Sequence, residues 1–252
     1  MPRERDEILP SGPEGHADNS QWIGGEPKVL VFDVNETLID FESMNPLFER
    51  VFGDKRTLRE WLGHLVMYSM TLTLSGLYEE YFSLGRGLFR MVGDIHGVKV
   101  TDSDLDELET GMLTMPAHGD VEAGLRKLED AGFRMVTLTN SPPNPGGKSP
   151  LESAGLAGFF ERQFSIETVR AYKPAPSVYH LVAQELGVAP SNCFMVAAHV
   201  WDTVGAQSAG FTSGLITRPG NAPLLLRRLP QPHLVASDLP GLADRLIERW
   251  RS

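Results

Sequence analysis

Four short stretches carry side chains able to do covalent chemistry. They are Asp33-Val34-Asn35-Glu36-Thr37, Thr139-Asn140-Ser141, Lys173-Pro174 and Ala197-Ala198-His199-Val200-Trp201-Asp202. A carboxylate at the mouth of a buried strand becomes a nucleophile when a cation keeps it ionised and aimed, and Lys173 is a candidate cation for Asp33. Asp202, a second carboxylate, can pair with that lysine or activate water. Each group has a plain structural role when taken alone. Asp33 and Asp202 can cap helices, Thr139-Asn140 can form a turn, and Lys173 can be a solvated charge. Their common placement, at or just beyond the carboxyl ends of expected strands, is what favours chemistry.

The elements that must position them alternate. Strands are expected at 28–34, 134–140, 164–167, 193–198, 212–217 and 233–237, from short apolar runs bounded by turn residues. Helical stripes lie between several of them: Val121, Leu125 and Leu128 with Gly132 as the stop, then Val178, Leu181, Val182 and Leu186, then Leu239, Leu242 and Leu246. This is the pattern of an α/β fold, a mostly parallel sheet covered on both faces. The alternation is interrupted over 43–115, which reads as helical throughout. The expected organisation is therefore a polar flexible tail over 1–26, a Rossmann-like core over 27–42 and 116–252, and a helical cap over 43–115. The apolar stretch LVMYSMTLTL within the cap is expected to be mainly the cap's own core, and any part facing Asp33 would exclude water.

The chain has 252 residues, 41% of them hydrophobic, and a formal net charge of −10. That balance argues against nucleic acid and anionic membrane as partners, which require clustered Lys and Arg. No apolar run approaches the roughly 18 residues of a membrane span, and the N-terminal stretch lacks the apolar segment of a signal peptide. The single cysteine, Cys193, sits in the apolar run CFMVAA and reads as a small buried hydrophobe. One cysteine forms no intrachain disulfide, which fits a cytoplasmic protein.

Taken in order, the motifs resemble those of the haloacid dehalogenase superfamily: DxxxTL after the first strand, Thr-Asn after the second, Lys-Pro before a helix, and a terminal Asp. The resemblance covers about 27–240 and implies a haloacid-dehalogenase-type core with an inserted helical cap. Most of that superfamily are magnesium-dependent phosphatases, which carry a general-acid Asp two residues after the nucleophile and an acidic metal ligand four residues before the last Asp. Here those positions are Asn35 and Ala198, so the sequence points away from phosphoryl transfer and from a metal cofactor. A halide needs neither feature to depart.

The sequence is similar to the L-2-haloacid dehalogenase branch, with KPAPSVY at 173–179 and HVWDTVGAQSAG at 199–210. That resemblance implies a 2-haloacid substrate, no cofactor, and Asp33 as a nucleophile that forms an ester which water then opens. Lys173 and Asp202 would be its catalytic partners. Asn35, Thr37, Thr139 and Asn140 would orient Asp33 or the substrate, and Tyr179 would approach the site through Lys173. Homodimerisation through the cap is compatible with the same resemblance.

Two positions depart from the branch. Aligning Trp61 and Tyr68 with its cap helix puts Leu62 where an arginine usually shields the halide, and Arg59 and Arg56 are the nearest alternatives. The last motif has Ala197 and His199 in place of Ser and Asn. As an imidazolium His199 would stabilise halide or substrate carboxylate; neutral, it would position water. The readings set against a dehalogenase are a phosphatase- or phosphonatase-like hydrolase with an altered site, and a catalytically silent protein on the same fold.

Overall fold

The computed structural model describes residues 25–143 and 147–251; nearly all of the tail expected over 1–26 lies outside them. The core is a six-stranded parallel sheet in the order β3-β2-β1-β4-β5-β6. Its strands are β1 (Val29–Phe32), β2 (Met135–Thr139), β3 (Arg162–Ser165), β4 (Cys193–Ala197), β5 (Thr212–Ile216) and β6 (Leu234–Ala236). β1 lies inside the sheet and is buried along its whole length, as its VLVF sequence requires. Its neighbours β2 and β4 connect to it in opposite directions along the sheet, so Asp33, which follows β1, sits at the topological switch point.

Helices α1 (Asn45–Phe52), α2 (Thr57–Leu74), α3 (Tyr81–His96) and α4 (Asp102–Thr114) intervene between β1 and β2. Phe48 packs against Trp61 and Phe89 at ring-centroid distances of 5.6 and 5.2 Å, giving this insert an aromatic core of its own. α3 starts only at Tyr81, because the Glu80 carboxylate caps it by accepting from the Phe82 and Ser83 N–H groups. The sheet is flanked by α5 (Val121–Asp130), α6 (Pro150–Ser153), α7 (Pro176–Glu185), α8 (Val200–Ser208) and α9 (Leu239–Trp250).

One strand is displaced from its expected place. β3 occupies Arg162–Ser165 rather than 164–167, and Ile166–Thr168 form a 3-10 turn that the Ser165 hydroxyl caps by accepting from Glu167 N–H. β3 is an edge strand whose first two residues are exposed, so its start carries no apolar signal.

α8 approaches the start of α7 closely, and Gly205 is the reason it can. A Cβ built at Gly205 would stand 2.6 Å from the Tyr179 hydroxyl oxygen and collide with Pro174. Gly205→Ala is expected to destabilise the fold by about 1–3 kcal/mol, the usual cost of overpacking a filled interior. Denaturant unfolding measures this, and an unchanged midpoint would show that the two helices part freely.

Candidate active site

Asp33 leaves β1 with its N–H bonded to Val196 O on β4, which fixes the backbone at the strand mouth. Its side chain is nearly enclosed, at 3% exposure of the residue, yet it borders a cleft under the insert. Lys173 Nζ donates to Asp33 Oδ1 at 2.7 Å, to Asp202 Oδ2 at 2.6 Å and to Leu138 O at 3.0 Å, so all three ammonium hydrogens are engaged. Thr37 Oγ1 donates to Asp33 Oδ2 at 2.6 Å and accepts from Ala198 N–H at 2.9 Å. Each Asp33 carboxylate oxygen is therefore gripped by a buried donor whose own position is set by another strand.

The charge follows from this enclosure. Burial opposes ionisation of Asp33, but Lys173 and His199 outweigh it and hold the carboxyl down at about 2. Asp202, buried completely, goes the other way: burial and the nearby Asp33 charge raise it against the pull of Lys173. The Tyr179 hydroxyl donates to Asp202 Oδ1 at 2.6 Å, and burial beside that carboxylate pushes the phenol well above its ordinary range. Tyr179 thus reaches the site through Asp202, not through Lys173, and it sits beneath the cleft rather than in its wall. Asp202 is in the first turn of α8 and does not cap it; His199 occupies the cap position.

The cleft, about 30 Å³, is lined by Asp33, Asn35, Glu36, Tyr81, Asn140, His199 and Trp201 and by one face of α2, namely Leu62, Leu65, Val66 and Ser69. The stretch expected to be cap core is thus divided, since Met67 and Leu74 on its other side are exposed. Asn140 Oδ1 accepts from Lys173 N–H at 3.0 Å, which leaves the amide NH2 for a ligand. Asn35 Nδ2 donates to Tyr81 Oη at 3.2 Å and to Ser141 Oγ at 3.0 Å. Tyr81, as the acceptor there, keeps its own proton to donate. Thr139 is not among the cleft residues: its Oγ1 accepts from Ser141 N–H, and it lines a separate cavity with Thr137 and Phe164. Consecutive residues at a strand end point to opposite faces, so Thr139 and Asn140 diverge.

Leu62 does line the cleft, and no arginine is among the cleft-lining residues. Arg59 instead donates to Glu36, to Glu42 and, at 3.0 Å, to Pro219 O, tying α2 to the core. Glu36 is the residue that sequence reasoning passed over. It is 3% exposed, and its Oε2 lies 2.6 Å from His199 Nε2. His199 Nδ1 is 3.9 Å from Asp33 Oδ2 and has no hydrogen-bond partner, and its ring stacks on Trp201 with centroids 5.1 Å apart. In sequence Glu36 looks like a solvated loop carboxylate; its partners Arg59 and His199 are 23 and 163 residues away.

Burial opposes charge on His199, but Asp33 and Glu36 outweigh it and lift the imidazolium from the ordinary 6.5 to about 9. A group raised on folding stabilises fully below its unfolded value and loses that contribution as pH rises through its folded value. Unfolding free energy is expected to fall between pH 6.5 and 9, by up to about 3 kcal/mol, and a His199→Asn variant is expected to lack that part of the fall. Parallel profiles of the two proteins would refute the linkage.

The donors present do not fit Mg²⁺. Asp33 and Asp202 each hold Lys173 plus a hydroxyl, Glu36 is taken by Arg59 and His199, and Ala198 offers no carboxylate where a ligand would be needed. Among the described residues no cluster of three or more His, Cys, Asp or Glu side chains is disposed to hold a metal ion.

A carboxylate locked between a lysine and a threonine at the switch point of a parallel sheet stands where such sheets bind their ligands. The family model for haloacid dehalogenase-like hydrolases matches residues 27–210, and the chain belongs to that family. Among curated relatives, (S)-2-haloacid dehalogenase 1 of Pseudomonas sp. (strain CBS-3) is 27% identical over 88% of this chain and 98% of its own length. The (S)-2-haloacid dehalogenase of Xanthobacter autotrophicus is 27% identical over 76% and 75% of the two chains. In solved structures, the L-2-haloacid dehalogenase from Xanthobacter autotrophicus with chloropropionic acid covalently bound superposes with a TM-score of 0.79. It covers 90% of this chain and all of its own at 23% identity, a likeness of fold.

Proposed function

We propose that the protein is a metal-independent hydrolytic dehalogenase that converts a short 2-haloalkanoic acid to the 2-hydroxy acid. The observation that carries this reading is Asp33 itself, an ionised carboxylate at the cleft with Lys173 on one oxygen and Thr37 on the other. The names of the relatives support the substrate class. An Asp33 lone pair forms a bond to C2 of the substrate. The C2–halogen electrons leave with the halide on the opposite face, and the carbon inverts. Water then attacks the Asp33 carboxyl carbon and the 2-hydroxy acid departs.

The supporting roles divide by reach. Thr37 and Lys173 aim the nucleophile. Asp202 positions Lys173, and Tyr179 positions Asp202. Asn140 and Tyr81 offer donors to the substrate carboxylate, while Leu62, Leu65 and Val66 present an apolar wall suited to a short aliphatic chain. With about 30 Å³ in the cleft, roughly the space of a single water, substrate enters when the insert 43–115 swings as a cap over the core. A cytoplasmic setting goes with this reading, since the only cysteine is free and buried, and no described helix is long and apolar enough to cross a membrane.

Halide release from a panel of haloacetates and 2-halopropionates in EDTA tests the proposal. Turnover of at least one of them, with ¹⁸O from labelled water entering Asp33 in a single turnover, is the expected result. Silence across the panel, or phosphate-ester hydrolysis that vanishes on chelation, would replace this reading.

A further inference from the structure

We infer that His199, oriented by Glu36, is the general base of the second half-reaction, taking a proton from the water that opens the Asp33 ester. The inference rests on the reading of Asp33 as the ester-forming nucleophile. Four independent features of the site lead to it.

Glu36 has φ +61°, a left-handed backbone uncommon for a residue with a Cβ. Its side chain is buried. There Arg59 holds one carboxylate oxygen and His199 Nε2 the other, while His118 Nε2 lies 3.0 Å from the Glu36 carbonyl. A carboxylate on Nε2 fixes the ring and reserves the far nitrogen for chemistry, the general logic of a carboxylate–imidazole pair. The far nitrogen, Nδ1, is buried, unpartnered and 3.9 Å from Asp33 Oδ2. That spacing is too long for a direct hydrogen bond and suits a water lodged between the ring and the Asp33 carboxyl group. Finally, both His199 and Asp33 border the same cleft, whose volume of about 30 Å³ is that of a single water.

Electrostatics supplies the timing. The groups that face or bear on His199 are Asp33, Glu36 and the Trp201 ring, with Lys173 acting through Asp33 and Arg59 through Glu36. In the free protein two carboxylates hold the imidazole protonated. Ester formation removes the Asp33 charge, one of the two, so the Nδ1 proton leaves to solvent and the ring is neutral, with a free lone pair on Nδ1, when hydrolysis begins. Water then adds to the Asp33 carboxyl carbon as its proton passes to Nδ1. The tetrahedral intermediate collapses by breaking the bond between the ester oxygen and the carboxyl carbon, and the departing 2-alkoxide takes the proton back from Nδ1. Asp33 emerges as a carboxylic acid containing one water oxygen. Beside Lys173 it gives up that proton, which restores the His199 imidazolium, while the proton lost to solvent after ester formation balances the halide.

The test compares wild type, His199→Gln, His199→Asn and Glu36→Gln on 2-bromopropionate. It follows bromide release and the intact-protein mass, with melting temperatures to confirm folding. The expected result for either His199 variant is a burst of up to one bromide per site followed by a stall. The protein should gain the mass of one carboxyethyl group, with ester hydrolysis slowed roughly 10²- to 10⁴-fold. Glu36→Gln slows the same step while leaving the burst, and the rise of the wild-type hydrolysis rate with pH disappears in His199→Gln. A His199 variant that loses the burst without accumulating ester, or opens the ester at the wild-type rate, overturns the inference. A wild type that neither releases bromide nor gains mass removes the Asp33 reading itself, and is distinguished by that absence.

Discussion

Lys173→Met yields a protein that keeps Asp33 yet releases no halide, and that unfolds in markedly less denaturant. Lys173 is 1% exposed and its ammonium is shared between two carboxylates that are themselves buried. Removing it leaves two buried carboxylates facing each other with only the His199 imidazolium beside Asp33, so Asp202 is driven towards its protonated form on folding. Breaking a buried pair from one side typically costs about 3–5 kcal/mol, because the remaining charge is uncompensated. The nucleophile suffers in the same step, since Lys173 is a principal reason its pKa lies near 2. The double variant Lys173→Met/Asp202→Asn separates the two effects. It removes one of the stranded charges, so much of the stability returns while halide release stays absent. Activity within tenfold of wild type in either protein would show that the lysine is not needed to aim Asp33.

Asp33→Asn is expected to do the reverse, sparing the fold and eliminating the chemistry. The amide is nearly isosteric, still accepts a hydrogen bond, and leaves Lys173 paired with Asp202. Its nitrogen and neutral oxygen cannot displace halide as the carboxylate does. Loss of a nucleophile of this kind costs on the order of 10⁴- to 10⁶-fold in turnover. Halide release and thermal melting, measured on the same preparation, check both halves. His199 supplies a third readout: with one of its two carboxylates gone, its titration followed by NMR should move down from about 9. A variant with wild-type turnover would move the nucleophile elsewhere.

The parts of this site that depend on local sequence were legible, and those that depend on distant pairing were not. β1, β2 and β4 are buried apolar runs, and a polar residue ending such a run announces the strand mouth. Asp33, Asn140 and the stretch leading to Asp202 could be placed on one edge for that reason. Lys173 follows no strand directly, and its position came from family resemblance and order. The reach of Tyr179 was misjudged because six residues of spacing say nothing about which carboxylate a phenol meets across two helices. Glu36 was invisible as a functional group, since its meaning lies wholly in Arg59 and His199. β3 slipped by two residues because an edge strand need not be apolar along its length.

Leu62, Leu65, Val66 and Ser69 recur at intervals of three, one and three residues, which places them on a single face of α2. The apolar wall proposed for the substrate's carbon chain is therefore written in one contiguous segment, whereas the groups proposed to react come from loops at three strand ends and beyond. Choice of acid and conversion of acid are encoded at separate addresses. Mutagenesis confined to those four codons amounts to a compact library for redirecting what is accepted while leaving how it is hydrolysed untouched.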